Sequence, residues 1–462
     1  MDDGLSPVPR RGKEKLQVPE GIGLELAPLL DPDFVTAALA ESCADSPVTI
    51  ESCQVRHLRF HPGKDSLVAY DVEISSTDED QRETISVFVR CESQNTFGRE
   101  LRRAKAAAIH PGKVIEDLLV LHDQRAIFIE FPNDSRLPNL SLLRSGEQLS
   151  ELLERHLGCV VVGQWQFAAE KLKSTVLKYK PERRLVCRCD TFWIAPGLSD
   201  PLALSVVLRF ERRGMARKVE ARARRLCDAL SSSDRLRSPR LLFAEPSCEV
   251  VAMECISGRS LADEIQGDDP IGAVERAADD LATLHRCGAF DRDDPDTQAR
   301  LRSSDASVEL LGYCQQPFSS KAKKIHERLE RLLEKAPPGI QGTVHGDFHQ
   351  EQILIDDNCD WIVDVEWAGY GDTSLDLGSF LGQLSMLEIR KLIPAAAPLQ
   401  QAFLERHQHH CGATDRARLA CEEIHSLLEL AGKQFRRLKS AWPKRVGKIL
   451  ARCEHILDEQ QV

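Results

Sequence analysis

Two kinds of periodicity divide this chain. Over residues 55–74 (VRHLRFHPGKDSLVAYDVEI) and 174–193 (STVLKYKPERRLVCRCDTFW), apolar and polar positions alternate on either side of a proline-containing turn, which predicts two β-hairpins. The segments are related by a shift of about 119 positions: Leu58, Arg59, Phe60, Pro62 and Lys64 face Leu177, Lys178, Tyr179, Pro181 and Arg183, and Asp71 faces Asp190. The same shift carries SVFVR at 86–90 onto SVVLR at 205–209, a third strand ending in arginine, and a charged helix-like stretch with Glu100 or Glu220 follows in each. A last strand, FIEF at 128–131 or AMEC at 252–255, closes both copies, so we read a duplicated α+β unit. From about Ile256 onward, apolar residues recur at spacings of three and four, as over 278–284, 322–333 and 419–438, which predicts helices with one apolar face.

At 462 residues the chain is long enough for two to four domains at roughly 100 to 200 residues each. Its 61 Lys and Arg against 72 Asp and Glu give a net charge of −11, the opposite of a general nucleic-acid binder. No apolar run approaches the roughly 18 residues of a membrane helix, and residues 1–17 lack the apolar stretch of a secretory signal. A cytoplasmic protein with no nucleic-acid or membrane partner is expected. The fifteen cysteines are odd in number and scattered, and read as reduced, mostly buried thiols.

One segment, 343–381 (TVHGDFHQEQILIDDNCDWIVDVEWAGYGDTSLDLGSFL), interrupts the helical half. Its short apolar runs at 352–355 and 361–363 flank the turn-forming Asp356, Asp357 and Asn358 and should pair as a hairpin. Asp347 precedes the first run and Asp364 ends the second, so two carboxylates and the Gln352 amide can converge. One charged and one amide oxygen suit Mg²⁺, which keeps waters and borrows phosphate oxygens, leaving the other aspartate to act on a hydroxyl.

The motifs His345-Gly346-Asp347-Phe348-His349, Gln352-Ile353-Leu354 and Val363-Asp364-Val365-Glu366-Trp367, with Gly371-Asp372 and Asp376-Leu377, resemble the catalytic core of the aminoglycoside phosphotransferase and choline kinase-like superfamily. The resemblance implies an α+β, protein-kinase-like two-lobed fold: a β-rich N-lobe and a helical C-lobe, here preceded by an additional N-lobe-like repeat. It implies ATP and Mg²⁺ as cofactors, Asp347 as the residue that orients or deprotonates the acceptor hydroxyl, and Gln352 and Asp364 as metal ligands. Glutamine replaces the family's usual asparagine, a departure similar to maltokinase-like sugar kinases. Arg209 stands where kinases place a phosphate-binding lysine, with Glu220 as its helix partner, and arginine is a second departure. The turn Lys180-Pro181-Glu182-Arg183 replaces a glycine-rich loop, so phosphate contacts are expected from Lys180 and Arg183. Met253, Glu254, Cys255 and Ile256 resemble the hinge that meets adenine, and Glu366 and Trp367 are candidate substrate contacts.

The expected division is a tail at 1–30, the first repeat at 31–158, an N-lobe at 159–256 and a C-lobe at 257–462. The expected reaction is transfer of the ATP γ-phosphoryl group to a hydroxyl of a small metabolite, such as a sugar, an aminoglycoside-like molecule or an amino alcohol. The basic stretch at 433–452 favours a neutral or anionic acceptor over a polycation. The alternative is a pseudokinase serving binding or regulation, with the first repeat as a cap, a homodimer surface or a site for a protein partner. His345 and His349 are expected to make structural hydrogen bonds, Asp372 and Asp376 to cap the next helix and hold the loop, and HQHHC at 407–411 to be an exposed helix end. Trp367 and Trp442 are each assigned to a sugar-stacking or a core role.

Overall fold

The computed structural model describes residues 25–460 apart from 45, 61–64, 77–81, 159–160, 162–163, 196–199, 294–303, 315 and 357. The tail expected at the N-terminus therefore lies, up to residue 24, outside the described residues, as do Pro62, Lys64 and Asp357. Helix α1 (Pro32–Ser42), whose Asp31 cap accepts the Asp33 amide, leads into strands β1 (Val48–Arg59), β2 (Ser66–Ser76) and β3 (Arg82–Cys91). Helix α2 (Gln94–Ala107) and strands β4 (Leu119–Leu121) and β5 (Ala126–Glu130) complete an antiparallel sheet of order β1-β2-β3-β5-β4. After α3 (Gly146–Leu157) and β6 (Gln166–Phe167), the pattern recurs with β7 (Lys173–Lys180), β8 (Arg184–Ile194), β9 (Leu202–Glu211), α4 (Ala216–Leu230), β10 (Leu236–Arg237), β11 (Leu241–Glu245) and β12 (Val250–Glu254). The second sheet runs β11-β12-β9-β8, with both β6 and β7 pairing to β8. Leaving β6 aside, each sheet places its third strand beside its last, as Arg90 opposite Ile127 and Arg209 opposite Val251.

The first sheet is buried on both faces, which explains the continuous apolar run Leu67-Val68-Ala69-Tyr70 within β2. Leu67, Ala69 and Phe88 share a core with Leu185, Cys187 and Phe210 of the second sheet. Val68, Tyr70 and Val72, pointing the other way, pack with C-terminal helices through Ile424, Leu428 and Phe435. Cys187 and Cys189 lie on one strand face with sulfurs 4.0 Å apart, as buried packing.

Beyond β13 (Arg259–Ser260) the chain is mainly helical: α5 (Leu261–Ile265), α6 (Pro270–Arg286), α7 (Asp305–Leu311) and α8 (Gln316–Lys335). Strand β14 (Gln341–Val344) then enters the interrupting segment, where β15 (Ile353–Ile355) and β16 (Asp360–Ile362) form the expected hairpin, Ile353 opposite Ile362. Asp356 closes its turn by accepting the Asn358 and Cys359 amides and the Trp361 indole N–H at 2.7, 2.8 and 2.7 Å. The hairpin sits between β10 and β13, while β17 (Gly369–Asp372) pairs with β14. Four helices follow: α9 (Ser374–Ile389), α10 (Ala397–Cys411), α11 (Arg416–Arg437) and α12 (Trp442–Glu459). The chain is thus a mixed α+β fold with β sheets first and helices after. Among the described residues, no helix is long and apolar enough to cross a membrane.

Candidate active site

The segment after β14 is fixed by its own side chains. Asp376, fully buried in the first turn of α9, accepts the His345 amide at 2.6 Å and the Gly346 amide at 2.9 Å. His345 donates from Nε2 to the Val363 carbonyl at 2.9 Å and accepts the Asp347 amide on Nδ1 at 3.3 Å, which satisfies a neutral imidazole. One buried ring therefore ties the Asp347 loop to the strand end before Asp364. Gly346 has φ +80, and an added Cβ would lie 2.7 Å from the Trp367 carbonyl oxygen, so the chain needs glycine there for two reasons. Phe348 inserts into the core against Phe380, which stacks on Phe403 at 4.3 Å. With backbone and ring anchored, the Asp347 carboxylate keeps 36% exposure, and among the described residues its ion-pair-distance neighbours are the His349 ring nitrogen Nε2 at 3.9 Å and the Lys433 ammonium at 4.0 Å.

Gln352 is buried beside the hairpin, its carboxamide 3.1 Å from His349 Nε2. His349 Nδ1 accepts the Glu351 amide at 3.2 Å, and the Gln352 atom that faces the other ring nitrogen is the side-chain amide nitrogen, a donor. Burial keeps His349 neutral more strongly than Asp347 and Glu351 favour its charge. The histidine thus orients the amide.

Asp364 adopts a left-handed backbone, φ 60 and ψ 44, a strained conformation that aspartate tolerates better than most residues. Its carboxylate is gripped by Arg209 and Arg184, each at 2.9 Å. Arg209 also binds Glu366 at 2.7 Å and Glu211 at 3.0 Å, and Arg184 pairs with Glu366. Burial pushes the Asp364 carboxyl up, but Arg209 and Arg184 outweigh it and hold the group well below the usual carboxylate range. Gln352 and Asp364 are a hard oxygen donor set and fit Mg²⁺, with the arginines as the groups that a metal would displace from Asp364.

Glu220 is not brought to Arg209. It pairs with Arg224 one turn along α4 at 3.1 Å, while Arg209 takes the nearer Glu211 on its own strand. The expected pairing occurs instead in the first sheet, where Arg90 meets Glu100 at 3.7 Å as well as Glu92. Lys180 faces the same acids: burial first, then Arg184 and Lys178, push it down to about 8 against Asp364 and Glu366. Arg183 lies in the same turn and feels Glu366. Met253 and Glu254 end β12 between β9 and β11, with the Glu254 carboxylate held by Arg240, and Cys255 and Ile256 continue half-exposed. Trp367 is half-buried beside Gly346, whereas Trp442 is core, packed against Phe435 and Phe318. His407 corrects the exposed-end reading: it is buried and bonded to His285 at 3.0 Å, because α10 lies against α6, and His410 pairs with Asp279.

Glu211 escaped the sequence reading, and Glu182 and Arg184 were read only as parts of the basic turn, without their ion-pair partners. An Arg-x-Glu pattern at 90–92 and again at 209–211, at the repeat shift, was a readable signal for Glu211. Glu182, at the tip of the β7–β8 turn with φ 62, is buried and pairs with Arg59 and Arg90 of the first sheet. Its amide donates to Asp134 at 2.7 Å, and Asp134 also accepts the Tyr179 hydroxyl at 2.9 Å. The first unit therefore grips the turn that faces the acid cluster.

An anchored carboxylate, two oxygen donors and a ring of cations are the groups that a metal-bridged polyphosphate facing a hydroxyl requires. Residues 197–420 match the phosphotransferase enzyme family. A curated relative, methylthioribose kinase 2 of Oryza sativa subsp. japonica, is 30% identical over 95 residues, which is 19% of this chain and 22% of that kinase, so the match spans about a fifth of its length. Among solved structures, a choline/ethanolamine kinase family protein from Mesorhizobium loti aligns at 18% identity over 58% of this chain and 84% of its own, with a TM-score of 0.40. Choline kinase from Cryptosporidium parvum Iowa II aligns at 12% identity over 68% of this chain and 97% of its own, with a TM-score of 0.47.

Proposed function

We propose that the protein is an ATP-dependent small-molecule kinase that phosphorylates an alcohol. The observation that carries this reading is the Asp347 carboxylate, left accessible on a loop whose amides are bound by Asp376 and whose ring anchor is His345. In the reaction, the acceptor oxygen bonds to the γ-phosphorus, the bond from that phosphorus to the bridging oxygen of ADP breaks, and the hydroxyl proton passes to Asp347. Mg²⁺, when bound through Gln352 and Asp364, supplies charge neutralisation. Glutamine as a metal ligand is consistent with the maltokinase-like pattern. Lys180, Arg183, Arg184 and Arg209 balance phosphate charge, and the backbone of Met253 to Ile256 receives adenine.

We read residues 31–158 as a built-in N-lobe-like repeat that supports the phosphate-facing turn, 159–256 as the N-lobe and 257–462 as the C-lobe. The grip of Arg184 and Arg209 on Asp364 favours one second reading, a pseudokinase whose metal ligand stays captured. Thermal shift with ATP and Mg²⁺, separately and together, on wild type and Asp364→Ala distinguishes them. A metal-dependent rise that Asp364→Ala abolishes supports the kinase, and no metal dependence in wild type supports the pseudokinase.

A further inference from the structure

We propose that the acceptor side of the cleft is an anion site built jointly by β1, the β7–β8 turn and the end of α11, so that the hydroxyl phosphorylated belongs to a molecule already carrying a phosphate or a comparable dianion. This rests on the kinase reading of the same cleft. Lys433 and Arg436 stand three residues apart in the last turns of α11, on one helix face. The Lys433 ammonium, 4.0 Å from Asp347, puts that face at the residue that meets the acceptor hydroxyl, not at the hinge.

Arg436 is a charged neighbour of both Arg183 and His57. Arg59, Arg436 and Arg212 crowd Arg183, with Glu366 the carboxylate that opposes them, and Glu429 is the carboxylate that faces Arg436. His57 on β1 joins them: burial, then Arg436, Arg183, Arg59 and Lys180, hold its imidazole neutral, with a pKa of about 4. Arg59 has its own partners in Glu182 and Asp65, but among the described residues neither Arg183 nor Arg436 has a carboxylate within 4.0 Å. An exposed Arg183 and a half-buried Arg436, without a carboxylate within that distance and contributed by elements far apart in sequence, are an arrangement that a bidentate oxyanion relieves. A polycationic acceptor would meet repulsion from the same groups.

The test is calorimetric titration of the full chain with inorganic phosphate, glycerol 3-phosphate and glycerol, each with and without saturating AMP-PNP and Mg²⁺. The expected result is binding of phosphate and glycerol 3-phosphate in the presence of AMP-PNP, at least tenfold weaker binding of glycerol, and a tenfold or greater loss in Arg436→Gln. Arg436→Lys should recover part of that loss, and Arg437→Gln, on the exposed neighbour, should leave anion affinity unchanged. Failure of the AMP-PNP-loaded protein to bind either anion overturns the inference, as does equal affinity in Arg436→Gln or an equal loss in Arg437→Gln. Failure of AMP-PNP itself to bind overturns the kinase reading instead, and the nucleotide-free titrations then decide the anion site separately.

Discussion

Asp347 and Lys180 illustrate opposite uses of environment. Asp347 is given little company, which suits a group that accepts a proton only when substrate supplies one. Asp347→Asn should lower kcat by a factor on the order of 10² to 10⁴ with nucleotide affinity within threefold of wild type, measured by steady-state kinetics alongside nucleotide titration. Lys180 instead sits among cations and is held near a pKa of about 8, below its usual 10.5. Its charge is present below that value and lost above it, so nucleotide affinity should fall as pH rises through about 8. The unfolded chain keeps the proton longer, so this group makes stability rise with pH between about 8 and 10.5. Titrating AMP-PNP from pH 7 to 10 in wild type and Lys180→Arg checks this; a flat wild-type profile, or an equally steep one in the arginine variant, removes Lys180 from the phosphate site.

At the scale of elements, the Asp347 loop is a short irregular segment made rigid by three anchors: Asp376 on α9, the His345 ring and the Phe348 side chain. Phe348 is completely buried, so Phe348→Ala should cost about 3 to 5 kcal/mol in denaturant unfolding and lower kcat as the loop loosens. Preserved stability would mean that the site collapses around the cavity. Much of this element was readable. A turn-rich hairpin between Asp347 and Asp364 follows from local alternation and from Asp356, whose side chain closes the turn using neighbours within five residues. The role of His407 was not readable, because a histidine on a helix end looks the same in sequence whether or not another helix covers it.

At the scale of the whole molecule, the first unit packs against both the second sheet and the C-terminal helices, and its Arg59 and Arg90 hold Glu182 from 123 and 92 residues away. Because Glu182 and Arg90 are both nearly inaccessible, Glu182→Gln should destabilise the chain by about 3 kcal/mol and raise the KM for ATP several-fold more than it changes kcat, the turn losing its fixed position. Denaturant unfolding and kinetics on the same variant check it. An unchanged KM would make the contact structural only.

Residue order by itself determined what depends on near neighbours: the alternating strands, the helical half, the hairpin, the duplicated pattern, and the Asp347, Gln352 and Asp364 motif positions. Tertiary structure alone decided which acid each arginine takes. Arg209 had Glu220 eleven residues away and Asp364 155 residues away, and it bonds the distant one together with Glu211. The reason is physical: a strand or helix is set by local torsions and periodic burial, whereas a buried guanidinium binds whichever carboxylates the completed packing brings within reach at the least desolvation cost.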